Sequence, residues 1–193
     1  MRELMKMIVV LSLIGTVSGY GLATIKQATR ERIEEQVLTY VQGPALLGVL
    51  TGFENNPIQD RKKMDLSGGR SVTVFPGIKN GKLAALAFEA FAPGYSGDIG
   101  VIVGFDLDKD AVLGIGVTTQ TETPGVGTRV FVPGFTAQFT GHGLDKLDLK
   151  SGGGDIDGVS GATFTSVGTV NAVKKAAGVY PEIKEKARSA WNG

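Results

Sequence analysis

Nineteen consecutive residues, Met7 to Ile25, carry no charge. Wound as a helix, such a run extends about 28 Å, close to the hydrocarbon thickness of a bilayer. Arg2 and Lys6 precede it and Lys26 follows it directly. A secretory signal peptide shares the basic start and apolar middle, but no Ala-x-Ala step closes this run, which favours an uncleaved transmembrane anchor. The flanking charges do not orient it, because Arg2, Lys6 and the terminal amine balance Lys26, Arg30 and Arg32. Beyond it, Ile25, Thr29, Ile33, Val37, Tyr40 and Val41 fall on one helical stripe, with Lys26, Arg30, Glu31, Glu34 and Glu35 opposite. This predicts a helical stalk or linker over 26–50. The helix should end at Gly43-Pro44, since a residue before proline avoids the helical region.

The remainder mixes strand and helix signals. Thr51 to Gly69 is polar and turn-rich, and reads as a loop leading into the domain. Ser71–Phe75 reads as a short strand stopped by Pro76-Gly77, and Lys82–Phe91 is a longer apolar run. Val101, Val103, Phe105 and Leu107 alternate, as do Leu113, Ile115, Val117 and Thr119, with an Asp-rich turn over 106–110 between them. The pair predicts an antiparallel hairpin. The Asp-x-Asp-x-Asp spacing resembles the opening of an EF-hand loop. Its sixth residue is Ala111 and its twelfth Val117, where that loop needs Gly and Glu, so a hairpin turn is the better reading. From Thr163 the period turns helical, with Phe164, Val167, Val170, Val173 and Ala177 expected inward and Gly178 as C-cap. Pro181 then opens a final helix with Ile183, Ala187, Ala190 and Trp191 on one face. The expectation is an α+β domain on a membrane stalk.

Composition narrows the chemistry. The chain has no cysteine and one histidine, His142, which excludes thiolate-held clusters, Cys-type zinc sites, disulfides and multi-histidine metal sites. Lys plus Arg number 20 against 19 Asp plus Glu, giving no basic surplus to attract nucleic acid. Any reactive chemistry therefore rests on hydroxyls, carboxylates or a bound group. The most unusual segment is Asp157-Gly158-Val159-Ser160-Gly161-Ala162-Thr163-Phe164-Thr165-Ser166, with small residues and hydroxyls at the mouth of a helix. Open N–H groups and the positive dipole end suit a phosphate there, while Ser and Thr are also ordinary helix caps. Gly158–Ala162 nearly spells a nucleophile elbow, but its last glycine is alanine and its only available base is His142 in a glycine-rich loop.

The same segment resembles the flavinylation motif of FMN-binding domains, in which Asp, two spacers, Ser or Thr, Gly, Ala and Thr recur at this spacing. Glu122-Thr123-Pro124-Gly125-Val126-Gly127 resembles a second signature of that family, with Val126 where leucine is usual, and Gly94-Tyr95-Ser96-Gly97-Asp98-Ile99 resembles a third. With the N-terminal anchor, the chain looks like the G subunit of Rnf complexes, the ion-translocating ferredoxin:NAD oxidoreductases. It is also similar to the C subunit of the sodium-pumping NADH:quinone oxidoreductases.

The resemblance implies an FMN-binding domain of antiparallel sheet and packed helices on a single transmembrane helix. It implies FMN carried by phosphoester on the hydroxyl of Thr163, with Ser160, Gly161, Ala162, Thr165, Glu122, Thr123, Pro124, Gly125, Val126, Gly127 and Tyr95 around it. Asp157 would cap the loop or be read by a flavin transferase working with Mg²⁺ and FAD. Other subunits of a membrane complex are the implied partners. Residues 1–6 would be cytoplasmic, 7–25 transmembrane and 26–50 linking, with 51–193 an extracytoplasmic FMN-binding domain. No residue is assigned a catalytic or metal-binding role. An alternative is a free-standing flavinylated domain serving an extracytoplasmic reductase.

Overall fold

The computed structural model describes residues 2–191, except the side chains of Glu31 and Glu34, whose expected place on the stalk's polar face lies outside the described residues. The chain divides into two compact units, Met1–Tyr40 and Val41–Gly193.

The first unit is built on α1 (Arg2–Gln36). Its stretch from Arg2 to Arg30 is long and apolar enough to cross a membrane. Leu11 (70% exposed) and Leu22 (70%) typify its exposed apolar side chains. The hydroxyls of Thr16, Thr24 and Thr29 bond the carbonyls of Ser12, Tyr20 and Ile25 at 2.7, 3.0 and 2.8 Å. These polar groups are thus satisfied within the helix, as a hydrocarbon solvent requires.

Helical structure does not stop at Gly43-Pro44. A π-helical turn, Val37–Gln42, leads into α2 (Gly43–Val49), where Pro44 sits in the first turn, a position its fixed φ suits. The segment 43–50, expected as stalk, instead belongs to the second unit and buries Leu46, Val49 and Leu50.

That unit is a five-stranded antiparallel meander in the order β1 (Lys62–Leu66), β2 (Arg70–Lys79), β3 (Lys82–Pro93), β4 (Asp98–Asp106), β5 (Ala111–Thr119). The predicted β4–β5 hairpin is present, and Asp106 Oδ1 accepts the amides of Asp108 and Lys109 at 3.0 Å each. The loop expected over 51–69 contains β1, whose Met64 and Leu66 are buried. Nor does Pro76-Gly77 stop β2. Pairing with β1 ends at Val74, so Pro76 lies on a free edge, where its carbonyl accepts Asn55 Nδ2 at 3.0 Å.

Both faces of the sheet are covered. On one, Leu86, Phe88, Val101, Val103 and Phe105 pack with Val170, Val173, Tyr180 and Ile183 of α4 (Thr163–Trp191); α3 (Pro133–Thr136) is a single turn between sheet and helix. Tyr180 stacks on Phe105 with centroids 4.4 Å apart, and its hydroxyl donates to Asp110 Oδ1 at 2.7 Å. On the other face lies α2. A Cβ at Gly104 would come within 2.4 Å of Val49 Cγ1, and one at Gly116 within 2.9 Å of Ala45 Cβ. Glycine there lets the helix lie directly on the strands.

The expected two C-terminal helices are one. Pro181 lies inside α4, and Gly178 is no cap. Burial of Tyr180, Ile183 and Ala187 against the sheet offsets the hydrogen bond that Pro181 removes. The helix phase also differs from expectation. Thr165, Ser166, Thr169, Val170 and Val173 face inward, while Phe164 is 69% and Val167 40% exposed.

Candidate functional site

Three segments converge at the N-terminus of α4. The β3–β4 turn closes with Gly94 N donating to Gly97 O at 2.8 Å and presents Tyr95, which is 71% exposed. After β5, the carbonyl of Thr123 accepts the amides of Val126, Gly127 and Thr128 at 3.2, 2.9 and 3.3 Å. Gly125, at φ +74°, supplies the left-handed residue of that turn. The third segment turns at Gly161, φ +80°, with Ala162 N donating to Val159 O at 2.9 Å.

Glu122 ties these segments together. It is buried, at 4% exposure. Its Oε1 accepts the amides of Tyr95 (2.9 Å) and Ser96 (3.0 Å), and its Oε2 accepts the Thr165 hydroxyl (2.7 Å). A Cβ at Gly94 would approach Glu122 Oε1 to 2.5 Å, and one at Gly127 would approach Oε2 to 2.9 Å. Two glycines of the sequence motifs thus make room for this carboxylate.

The segments enclose a cavity of about 310 Å³ lined by Tyr95, Glu122, Thr123, Val126, Gly127, Gly161, Ala162, Thr163, Phe164 and Thr165. Nine of these are residues that the sequence motifs single out. The tenth, Phe164, is the one expected in the core. Its ring centroid is 6.1 Å from that of Tyr95, with the planes tilted by 42°. Two ring contacts of about 3.5 Å need about 7 Å, so the pair leaves no room for a third ring between them and forms one aromatic wall. A helical phase set by the inward run Thr165, Thr169 and Val173 would have placed Phe164 outside.

The remaining candidates lie at or beyond the rim. Pro124 and Gly125 are exposed on their turn, outside the lining. Ser160 meets Arg129 through its carbonyl, at 3.4 Å from Nη1. Asp157 lines a neighbouring cavity with Arg129 and Gln138, and its carboxylate pairs with Lys150 Nζ at 2.6 Å. It therefore does not cap the loop; Ser166 does. The Ser166 hydroxyl accepts Val159 N at 3.1 Å and donates to Ala162 O at 2.9 Å.

The ordinary helix-cap reading also changes. Among the described residues, the amides of Thr163, Phe164 and Thr165 have no hydrogen-bond acceptor, side-chain or backbone. The Thr163 hydroxyl, exposed at the cavity, has no partner among them either. This end of α4 therefore offers open donors, the positive dipole end and a free hydroxyl, a chemistry suited to a phosphate ester. An aromatic and aliphatic wall beside them suits a flat ring. A serine hydrolase finds no support: His142 Nδ1 faces Gly143 O at 2.6 Å and Nε2 lies 3.8 Å from Asp155. The antiparallel sheet, moreover, lacks the strand–helix–strand setting of a nucleophile elbow.

Fold and site together define an FMN-binding domain, and residues 94–178 match the family model of that description, the FMN-binding domain. The G subunit of the ion-translocating oxidoreductase complex of Salmonella typhimurium is 36% identical over 173 residues, covering 83% of this chain and 82% of that protein. The chain belongs to this G-subunit family. The Haemophilus influenzae (strain PittEE) protein of the same name is 42% identical over 107 residues, and there the chain spans about half of its relative's length, 51%. Among solved structures, Shewanella oneidensis NqrC shares the fold, with a TM-score of 0.53 at 21% identity over 70% of this chain and 75% of that one.

Proposed function

We propose that the chain is a membrane-anchored subunit of an ion-translocating oxidoreductase complex, relaying electrons through FMN held in phosphoester linkage on Thr163. The observation that carries this reading is the Thr163 hydroxyl, exposed in the first turn of α4 and on the lining of the 310 Å³ cavity. That volume lies within the range of small-molecule sites, about 300–1,000 Å³.

FMN, when bound, supplies reversible acceptance and release of electrons, which the side chains here do not. The chain supplies attachment and surroundings. Thr163 offers the ester oxygen. The amides of 163–165 and the helix dipole stabilise the phosphate charge. Tyr95, Val126 and Phe164 present apolar surface to the ring and exclude water from one side. Thr123 and Gly127 bring backbone to the lining while Pro124 and Gly125 shape the exposed turn beyond it, and Ser160, Gly161 and Ala162 lead into Thr163. Thr165 and Glu122 hold the walls. Asp157, with its carboxylate on the surface, is available to a flavin transferase during maturation.

In this reading residues 7–25 span the membrane from a cytoplasmic 1–6, and the FMN-binding domain, beginning near Val41 rather than at residue 51, is extracytoplasmic. Electrons pass to and from neighbouring subunits, with no diffusible substrate. Denaturing electrophoresis under ultraviolet light tests the claim. Chain coexpressed with its transferase should fluoresce and Thr163→Ala should not; a dark wild-type band, or a fluorescent variant, overturns it.

A further inference from the structure

We propose that Glu122 is a positioning residue that fixes the aromatic wall of the cavity, acting through protein donors rather than by touching the flavin; this rests on the FMN reading above. Among the residues lining the cavity, Glu122 alone carries a formal charge. Its carboxylate oxygens already have protein partners, Oε1 with two amides and Oε2 with one hydroxyl. The donors come from positions 27, 26 and 43 residues away along the chain, so one side chain joins all three wall segments.

The consequence falls on two rings. The amide of Tyr95 is bonded directly, and Phe164 immediately precedes Thr165, whose hydroxyl is bonded too. With the Tyr95 amide and the Thr165 side chain held by one carboxylate, the Tyr95 and Phe164 rings stay 6.1 Å apart although each residue is mostly exposed. Exposed rings have little packing of their own to fix them, so their placement depends on this anchor.

The test uses the full chain coexpressed with a flavin transferase, as wild type, Glu122→Ala, Glu122→Gln and Thr165→Val. Two readings are taken: hydrogen exchange at the Tyr95 and Ser96 amides, and the visible circular dichroism of bound flavin. In Glu122→Ala, both amides should exchange at least about tenfold faster, as expected for loss of a charge-assisted bond, and the flavin signal should collapse. Glu122→Gln keeps an acceptor at the Oε1 position and should rescue amide protection to within about threefold of wild type, with most of the flavin signal. Thr165→Val should leave the amides protected but alter the flavin signal through Phe164. Unchanged exchange and dichroism in Glu122→Ala would overturn the proposal, as would Glu122→Gln being as impaired as Glu122→Ala. If Glu122→Ala does not fold, a wild-type flavin signal in Thr165→Val overturns it. A wild-type chain without flavin would defeat the FMN reading instead, and amide exchange in a Thr163→Ala background would still decide the role of Glu122.

Discussion

Thr165 Oγ1 donates to Glu122 Oε2 across 2.7 Å in a region where both residues are almost fully buried. The bond joins the start of α4 to the loop after β5. Thr165→Val removes the donor at constant size and leaves one carboxylate oxygen without it. The folded state should lose about 1.5–3 kcal/mol, measured by denaturant unfolding of the detergent-solubilised chain. A loss below about 0.5 kcal/mol would show that water or another donor replaces the hydroxyl.

Two glycines of α4 should respond in opposite directions. A Cβ at Gly168 would lie 2.6 Å from the Pro93 carbonyl and 3.0 Å from Gly94 Cα, so Gly168→Ala forces the helix away from the Tyr95 turn. Overpacking of this kind costs about 1–3 kcal/mol and should lower flavin loading as well as melting temperature. At Gly178, mid-helix, nothing beyond the helix's own local turn lies within 4 Å of the position a methyl group would take, so Gly178→Ala should stabilise by about 0.5–1 kcal/mol. Destabilisation by Gly178→Ala would mean that α4 breaks near Pro181.

These residues also mark what a sequence can disclose. The apolar run, the Asp106 turn and the small-residue segment before Thr163 are local patterns, and each stands where its pattern predicts. Strand β1 escapes because Lys-Lys-Met-Asp-Leu shows only two apolar residues, and their burial comes from the distant C-terminal helix and core. The phase of α4 depends on how closely Gly168 meets Pro93, and its continuity through Pro181 on the burial of Tyr180 and Ile183. Glu122 is visible as a motif residue, but its three partners lie in segments that only the fold brings together.

On the sheet face under α2, Glu89 accepts hydrogen bonds from Gln42 Nε2 (2.6 Å) and the Thr118 hydroxyl. Burial outweighs both bonds and raises its pKa above the ordinary carboxylate value. A raised folded-state pKa means that this group's stabilising contribution is complete below the ordinary value and is lost as pH rises through the raised one. Glu89→Gln should therefore match wild type in acid and melt higher above that range, as read by melting temperature against pH. A variant that melts lower at every pH would show that the charge itself is needed.

Phe164 is 69% exposed, so Phe164→Ala should change stability by no more than about 0.5 kcal/mol. Its loss opens the aromatic wall beside Tyr95, and iodide should quench the bound flavin's emission more steeply than in wild type. Equal quenching would place the flavin away from this wall.

The most direct measurement is peptide mass spectrometry of the chain coexpressed with its flavin transferase. The peptide containing Asp157–Ser166 should carry the mass of FMN less one water, fragmentation should locate it on Thr163, and Thr163→Ala should remove it. An unmodified peptide from flavin-loaded protein, or the same mass on another residue, would contradict the phosphoester assignment.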